Sequence, residues 1–216
     1  AVEHLRALRA AQQYWQLAAR YAQALQRPWL LLTCGLMGTG KSALAEALLK
    51  RIGAIREPPL LLSSDVTRKR LAGISPTARA AAAYGEGLYS PERADATYAD
   101  LLQQAERLLA QGRSVLIDAS FQRARDRLQA KEVAERAGAQ FCVLECWCPE
   151  EEVRRRLDAR VAQGGAVSDG RWELLAQQRQ AFEPLFDLPP HQHLRVDTTQ
   201  APERMAEEVA TKLALV

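Results

Sequence analysis

The sequence predicts an α/β domain: five parallel strands in a doubly wound sheet, with helices on both faces. Three observations predict it. Short apolar runs alternate with longer stretches of helical periodicity. The run "WLLLTC" is apolar on nearly every residue, as strands covered on both faces are. Three of the other runs, "PPLLLSSD", "SVLID" and "HLRVD", end on Asp65, Asp118 and Asp197, so acidic side chains gather where ligands of such sheets bind.

Residues 1–26 place Leu5, Leu8, Trp15, Ala18, Ala22 and Leu25 on one helical face that ends before Pro28. "WLLLTC", Trp29 to Cys34, is the first strand. "SALAEALLKRI" repeats Leu44, Leu48 and Ile52 at helical spacing, with Gly53 as the expected stop. The second strand is expected to end at Asp65. Residues 66–110 read as mainly helical, and Ser90-Pro91-Glu92 supplies a cap, a first-turn proline and an acid. Gly112 ends that helix, and "SVLID" is the third strand. Residues 123–137 form a helix ending before Gly138, followed by the strand "FCVLECW". A helix opening at Pro149-Glu150-Glu151 runs through Arg160. "AQGGAVSDG" is a polar loop, and residues 171–182 are helical again. "HLRVD" is the fifth strand, and a last helix starts near Pro202.

The 216 residues fit one such domain, residues 28–216, plus an N-terminal segment, residues 1–27. That segment reads either as a helix packed on the domain or as the junction to an upstream covalent domain. The chain starts at Ala1 rather than Met, and a piece cut from a longer protein is expected. Apolar residues at 48% suffice for a core, and a net charge of +3 is too mild to argue for nucleic acid by itself. Cys34, Cys142, Cys146 and Cys148 lie in or beside inner strands. They read as small buried residues in a reducing compartment, and a zinc site lacks its second ligand pair. No apolar run has the length of a membrane span and no signal peptide is visible, so a cytoplasmic protein without membrane contact is expected.

The chemistry starts at Gly35. "GLMGTGKS" fits G-x-x-x-x-G-K-[ST], between a buried strand and an amphipathic helix. Glycines let the backbone curl around a polyphosphate, and the helix N-terminus adds N–H donors and a positive dipole end. Gly35, Met37, Gly38, Thr39, Gly40, Lys41, Ser42 and Ala43 are the expected nucleotide contacts. Lys41 reaches the β- and γ-phosphates, and Ser42 is an expected Mg²⁺ ligand with Asp118, the acid closing an apolar strand. Asp65 is placed to accept or orient the proton of an attacking hydroxyl. Arg68, one turn on, is placed to clamp an acceptor. The competing role for Asp65 is a helix cap. Arg156 and Arg160, one turn apart before a glycine loop, are candidates to stabilise the transferring phosphoryl group. Their competing role is a charged face paired with Glu150, Glu151 and Glu152. Arg123 is a second expected acceptor contact, among a wider set of Arg70, Arg79, Tyr84, Tyr89, Arg93 and Tyr98. The adenine is expected between the lid and the loop after strand five, near Thr198 and Thr199.

"GLMGTGKS", "SSDVTR", "VLIDASF" and "RRLDAR" together resemble the small P-loop kinases related to gluconate kinase, polynucleotide 5′-kinase, chloramphenicol phosphotransferase and the zeta toxins. The resemblance implies that Asp65 is the general base, that Arg68 touches the acceptor, and that Arg156 to Arg160 form a lid on the donor phosphates. "ELLAQQRQAFEPL" resembles the helix after the lid in gluconate kinases. Over nearly the whole chain, "YGEGLYSPE", "TYADLL" and "FEP" added, the sequence is similar to the ATP-binding half of two-part bacterial proteins. Their other half resembles aminoglycoside phosphotransferases. This likeness implies a P-loop NTPase fold with strand order 2-3-1-4-5, and it supplies no acceptor. The expected activity is ATP- and Mg²⁺-dependent phosphoryl transfer to a hydroxyl on a small molecule or nucleotide. A polynucleotide 5′-hydroxyl kinase, with nucleic acid as acceptor, is one alternative. A nucleotide-binding regulatory module of a larger protein is another.

Overall fold

A computed structural model describes residues 6, 11–18, 27–75, 90–162 and 172–215. Its strands are β1 (Trp29–Cys34), β2 (Leu60–Ser63), β3 (Val115–Asp118), β4 (Gln140–Trp147) and β5 (His193–Asp197). They form one sheet in the order β2-β3-β1-β4-β5, every pair parallel. This is the order implied by the P-loop kinase resemblance. The helices are α1 (Lys41–Gly53), α2 (Ser64–Leu71), α3 (Pro91–Ala110), α4 (Ala124–Arg136), α5 (Glu150–Ala162), α6 (Trp172–Ala181) and α7 (Pro202–Lys212).

Alternation along β1 sends Leu30, Leu32 and Cys34 to one face and Leu31 to the other. On the first face Leu101, Ala105 and Leu109 of α3 and Ala130 and Val133 of α4 complete the core. On the second face Leu44, Leu48 and Ile52 of α1 meet Met205, Val209 and Ala210 of α7. Burial on both faces explains why the central strands carry no polar alternation.

Local chemistry sets the element ends. Ser90 accepts from the Arg93 N–H with Pro91 in the first turn, as expected. Gly112 and Gly138 follow α3 and α4 with φ of 75° and 64°, the left-handed conformation that stops a helix. One expectation is corrected. β2 ends at Ser63, not Asp65, because the Ser63 side chain caps α2 by accepting from the Val66 N–H. Asp65 therefore lies in the first helical turn. Gly53 is the last residue of α1, as expected, and the Ala54 N–H after it bonds back to Lys50 O.

Residues 11–18 are helical, with Tyr14 and Trp15 exposed. The remaining positions of the expected N-terminal face, Leu5, Leu8, Ala22 and Leu25, lie outside the described residues, as do Arg79, Tyr84, Tyr89 and most of the loop after α5. No described helix is long and apolar enough to cross a membrane.

Candidate active site

The β1–α1 loop crosses the carboxyl end of the sheet. Gly35 has a φ of 134°, and a Cβ there would sit 2.5 Å from Cys146 O, so only glycine lets the loop leave β1 against β4. The Gly35 N–H donates to Ser120 O at 3.1 Å, tying the loop to the segment after β3. Gly40 is the α1 N-cap and no side chain caps the helix, so the first-turn N–H groups open toward the loop. The Lys41 ammonium folds over the loop and donates to Leu36 O at 2.7 Å.

Ser42 and Asp118 meet. The Ser42 hydroxyl donates to Asp118 Oδ2 at 2.6 Å, and the Thr33 hydroxyl reaches Asp118 Oδ1 at 3.1 Å. A hydroxyl and a carboxylate at the mouth of a phosphate loop are hard oxygen donors of the kind Mg²⁺ takes. Among the described residues no group of three or more His, Cys, Asp or Glu side chains could hold a metal by itself. The donor set therefore fits an ion that takes its remaining ligands from phosphate and water.

The lid arginines divide. Arg156 sets its Nε on Glu152 at 2.6 Å and turns its far end inward. Nη2 donates to Thr198 O at 2.5 Å, and Nη1 lies 3.5 Å from Gly38 O. Thr198 is 1% exposed, and its hydroxyl lies 2.7 Å from Thr39 O. One guanidinium thus bridges the phosphate loop and the loop after β5. Arg155 takes the surface role, pairing with Glu152 through two 2.7 Å contacts. Arg155 first, and Arg156 after it, hold the Glu152 carboxyl down to about 2. The Arg160 side chain lies outside the described residues.

On the other flank, Ser63 is the register partner of Asp118, so Asp65 lies two residues beyond the strand position that faces the Ser42–Asp118 contact. Its half-exposed carboxylate pairs with Lys69 Nζ at 2.8 Å. Arg68 is half-buried, one turn on. Burial raises the pKa of the Tyr98 hydroxyl, and among the opposing influences is the positive charge of Arg68, so α2 and α3 bring these two side chains near each other. Arg123 is gripped by acid. It makes contacts of 2.6 and 3.0 Å to Asp126 and one of 2.6 Å to Asp95, with its guanidinium 5.7 Å from the Tyr98 ring centroid. Arg70 pairs with Asp100.

Behind this flank, Arg127 is fully buried. It bonds Phe121 O at 2.9 Å and Pro184 O at 3.0 Å, and both Asp187 oxygens at 2.7 and 3.1 Å. The Glu183 carboxylate accepts from the Ala124 N–H at 2.6 Å, so the "FEP" segment staples the start of α4. Three cysteines are inert by burial: Cys34, Cys142 and Cys146 are each pushed up to about 12. Thr33, Gln178 and Arg127 are the contributors that sequence reasoning missed.

Residues 30–185 match the model of the family described as an AAA domain. The chain belongs to that family. An uncharacterized protein of Mycobacterium tuberculosis (strain H37Rv) and one of Mycobacterium bovis are each 31% identical over 147 residues. That stretch is 68% of this chain and 28% of each relative. Among solved structures, an APS kinase of Mycobacterium tuberculosis in complex with AMPPNP and APS has a TM-score of 0.62 at 21% identity, covering 87% of this chain and 98% of that one. A gluconokinase from Sinorhizobium meliloti has a TM-score of 0.56 at 20% identity, covering 87% and 93%. A sugar kinase from Janibacter has a TM-score of 0.61 at 18% identity, covering 88% and 95%. The family's P-loop domain here has the kinase-type fold of these three proteins.

Proposed function

We propose that this chain is an ATP- and Mg²⁺-dependent phosphotransferase that moves the γ-phosphate of ATP to a hydroxyl of a small molecule or nucleotide. The observation that carries the reading is the 2.6 Å contact between Ser42 and Asp118 at the mouth of the loop, with Asp65 just beyond Asp118's strand partner. In this reading the N–H groups at the start of α1 and the Lys41 ammonium bind the triphosphate. Ser42 and Asp118 hold Mg²⁺, which when bound neutralises phosphate charge. Arg156, already at Gly38 O and Thr198 O, stabilises the transferring group, and Arg160 assists it from the next turn. Asp65 exchanges Lys69 for the acceptor hydroxyl and takes or orients its proton. Arg68 and Arg123 border the acceptor. The adenine lies toward Thr198 and Thr199.

An ATP-consumption screen over sugars, nucleosides, aminoglycosides and 5′-hydroxyl oligonucleotides tests this. Acceptor-dependent ADP release supports it, and label appearing on the oligonucleotide selects the polynucleotide branch. A second reading follows from the 28% coverage of the mycobacterial relatives: the domain is the nucleotide-binding regulatory unit of a longer protein. ATP binding with no transfer to any acceptor favours that reading.

A further inference from the structure

Gln178 is a polar side chain only 6% exposed, on the helix after the lid, remote in sequence from the phosphate loop. A buried amide is costly unless it is bonded. Its Oε1 accepts from the Met37 N–H at 2.7 Å. Met37 is the third residue of the eight-residue loop that starts at Gly35. Leu175, one turn before Gln178 on the same face of α6, joins Val153 and Leu157 of α5 in a small apolar cluster, against which Leu36, Met37 and Cys148 pack. Gly38 has a φ of 76°, and a Cβ there would meet Val153 Cγ1 at 2.9 Å and Leu157 at 3.3 Å. Arg156 adds its contact to Gly38 O. Both helices flanking residues 163–171 therefore rest on the first half of the loop.

We infer that Gln178 is a positioning residue for the nucleotide: it holds the Met37 N–H away from the anion side and fixes the curl from Gly38 onward. This inference rests on the nucleotide-binding reading above. A loop left to relax presents its donors in many arrangements, and ordering them is subtracted from binding free energy. Gln178 does that ordering in advance. Because the same contact belongs to α6, loop shape and lid stem move as one unit, and a nucleotide that fixes the loop also fixes the stem.

The test compares Gln178→Met, which keeps the volume but removes the acceptor, with Gln177→Met, the same change at the exposed neighbour on α6. ATP affinity is measured by calorimetry with Mg²⁺, beside the melting temperature of the free protein. Gln178→Met should bind ATP roughly 5- to 30-fold more weakly, the range of a lost buried hydrogen bond. Gln177→Met should stay within about 3-fold of the parent, since it removes no bond to the loop. A Gln178→Met protein that binds ATP as the parent does, or a Gln177→Met protein as weak as it, overturns the inference. Should the Gln178→Met variant fail to fold, amide exchange on the parent decides. The Met37 amide should be protected without ATP and the Gly38, Gly40 and Lys41 amides only with it, Thr39 being already bonded to Leu36 O; an unprotected Met37 amide overturns the inference. A parent chain that binds no ATP defeats the nucleotide reading itself, whereas equal binding by parent and Gln178→Met defeats this inference alone.

Discussion

The two flanks of the site are built differently. The donor flank, from Gly35 to Ser42 with Asp118, Arg156 and Thr198, is held by backbone curvature, the buried Thr198 hydroxyl, the Ser42–Asp118 contact and one inward guanidinium. The acceptor flank, with Asp65, Lys69, Arg123, Asp95 and Asp126, is held by paired charges, at partly exposed positions except for the buried Asp126. A cup of backbone donors is ready for an anion as it stands. Paired side chains must exchange partners before they can hold anything else. The donor flank therefore has the character of a fixed binding site, and the acceptor flank that of an adjustable one.

The contrast can be broken at several points. The largest effect is expected at Lys41, where Lys41→Ala should lower kcat/KM for ATP by about 10³-fold, in line with loss of one transition-state donor. An unchanged rate would remove Lys41 from the donor flank. Arg127→Met should come next. It leaves the Asp187 carboxylate without the buried guanidinium that binds both its oxygens, which costs about 3–5 kcal/mol of stability in denaturant titration. Loss of transfer without that destabilisation would give Arg127 a chemical role instead. Asp118→Asn should raise the Mg²⁺ concentration for half-maximal activity by roughly 10-fold, since second and direct ligand changes at metal sites have that scale; an unchanged Mg²⁺ titration separates Asp118 from the metal. The smallest effect belongs to the surface pair. Glu152→Gln should lower the melting temperature by about 1–3 °C at pH 7, the scale of a partly exposed ion pair, Glu152 holding both Arg155 and Arg156. Its folded pKa, about 2, is below the ordinary carboxylate value of 4.5. The contribution is therefore complete above the ordinary value and is lost as pH falls toward 2. A difference between the two proteins that persists at pH 2 would point to packing rather than charge.

The same contrast governs what was legible in the sequence. The donor flank was readable because its chemistry is local. A strand, a fixed glycine spacing and an amphipathic helix occur within 25 residues, Trp29 to Gly53. β5 was placed at its observed ends for the same reason: a short segment, Leu194 and Val196 alternating with polar residues, closed by an acid. β2 was drawn two residues too long because Ser63, Ser64 and Asp65 are all competent caps, and only the bond from Val66 N–H to Ser63 selects among them. Gln178 and Arg127 were out of reach. Gln178 meets Met37 across a sequence separation of 141, and Arg127 meets Asp187 across 60. Inside "RARDR" a fully buried arginine looks like any surface charge, because its partner belongs to a different helix connection. The charge pairs of the acceptor flank are likewise tertiary, so Arg123 could be named as a candidate but not seen to be gripped by Asp126 and Asp95.

The central claim is that a fixed donor cup faces an adjustable carboxylate, and Asp65→Asn tests it most directly. ATP affinity and γ-phosphate transfer are measured together on this variant, with whichever acceptor the screen returns. The account predicts ATP affinity within about 3-fold of the parent and transfer reduced by about 10²–10⁴-fold. Transfer at the parental rate would contradict it, because the carboxylate beside Lys69 would then have no part in activating the hydroxyl.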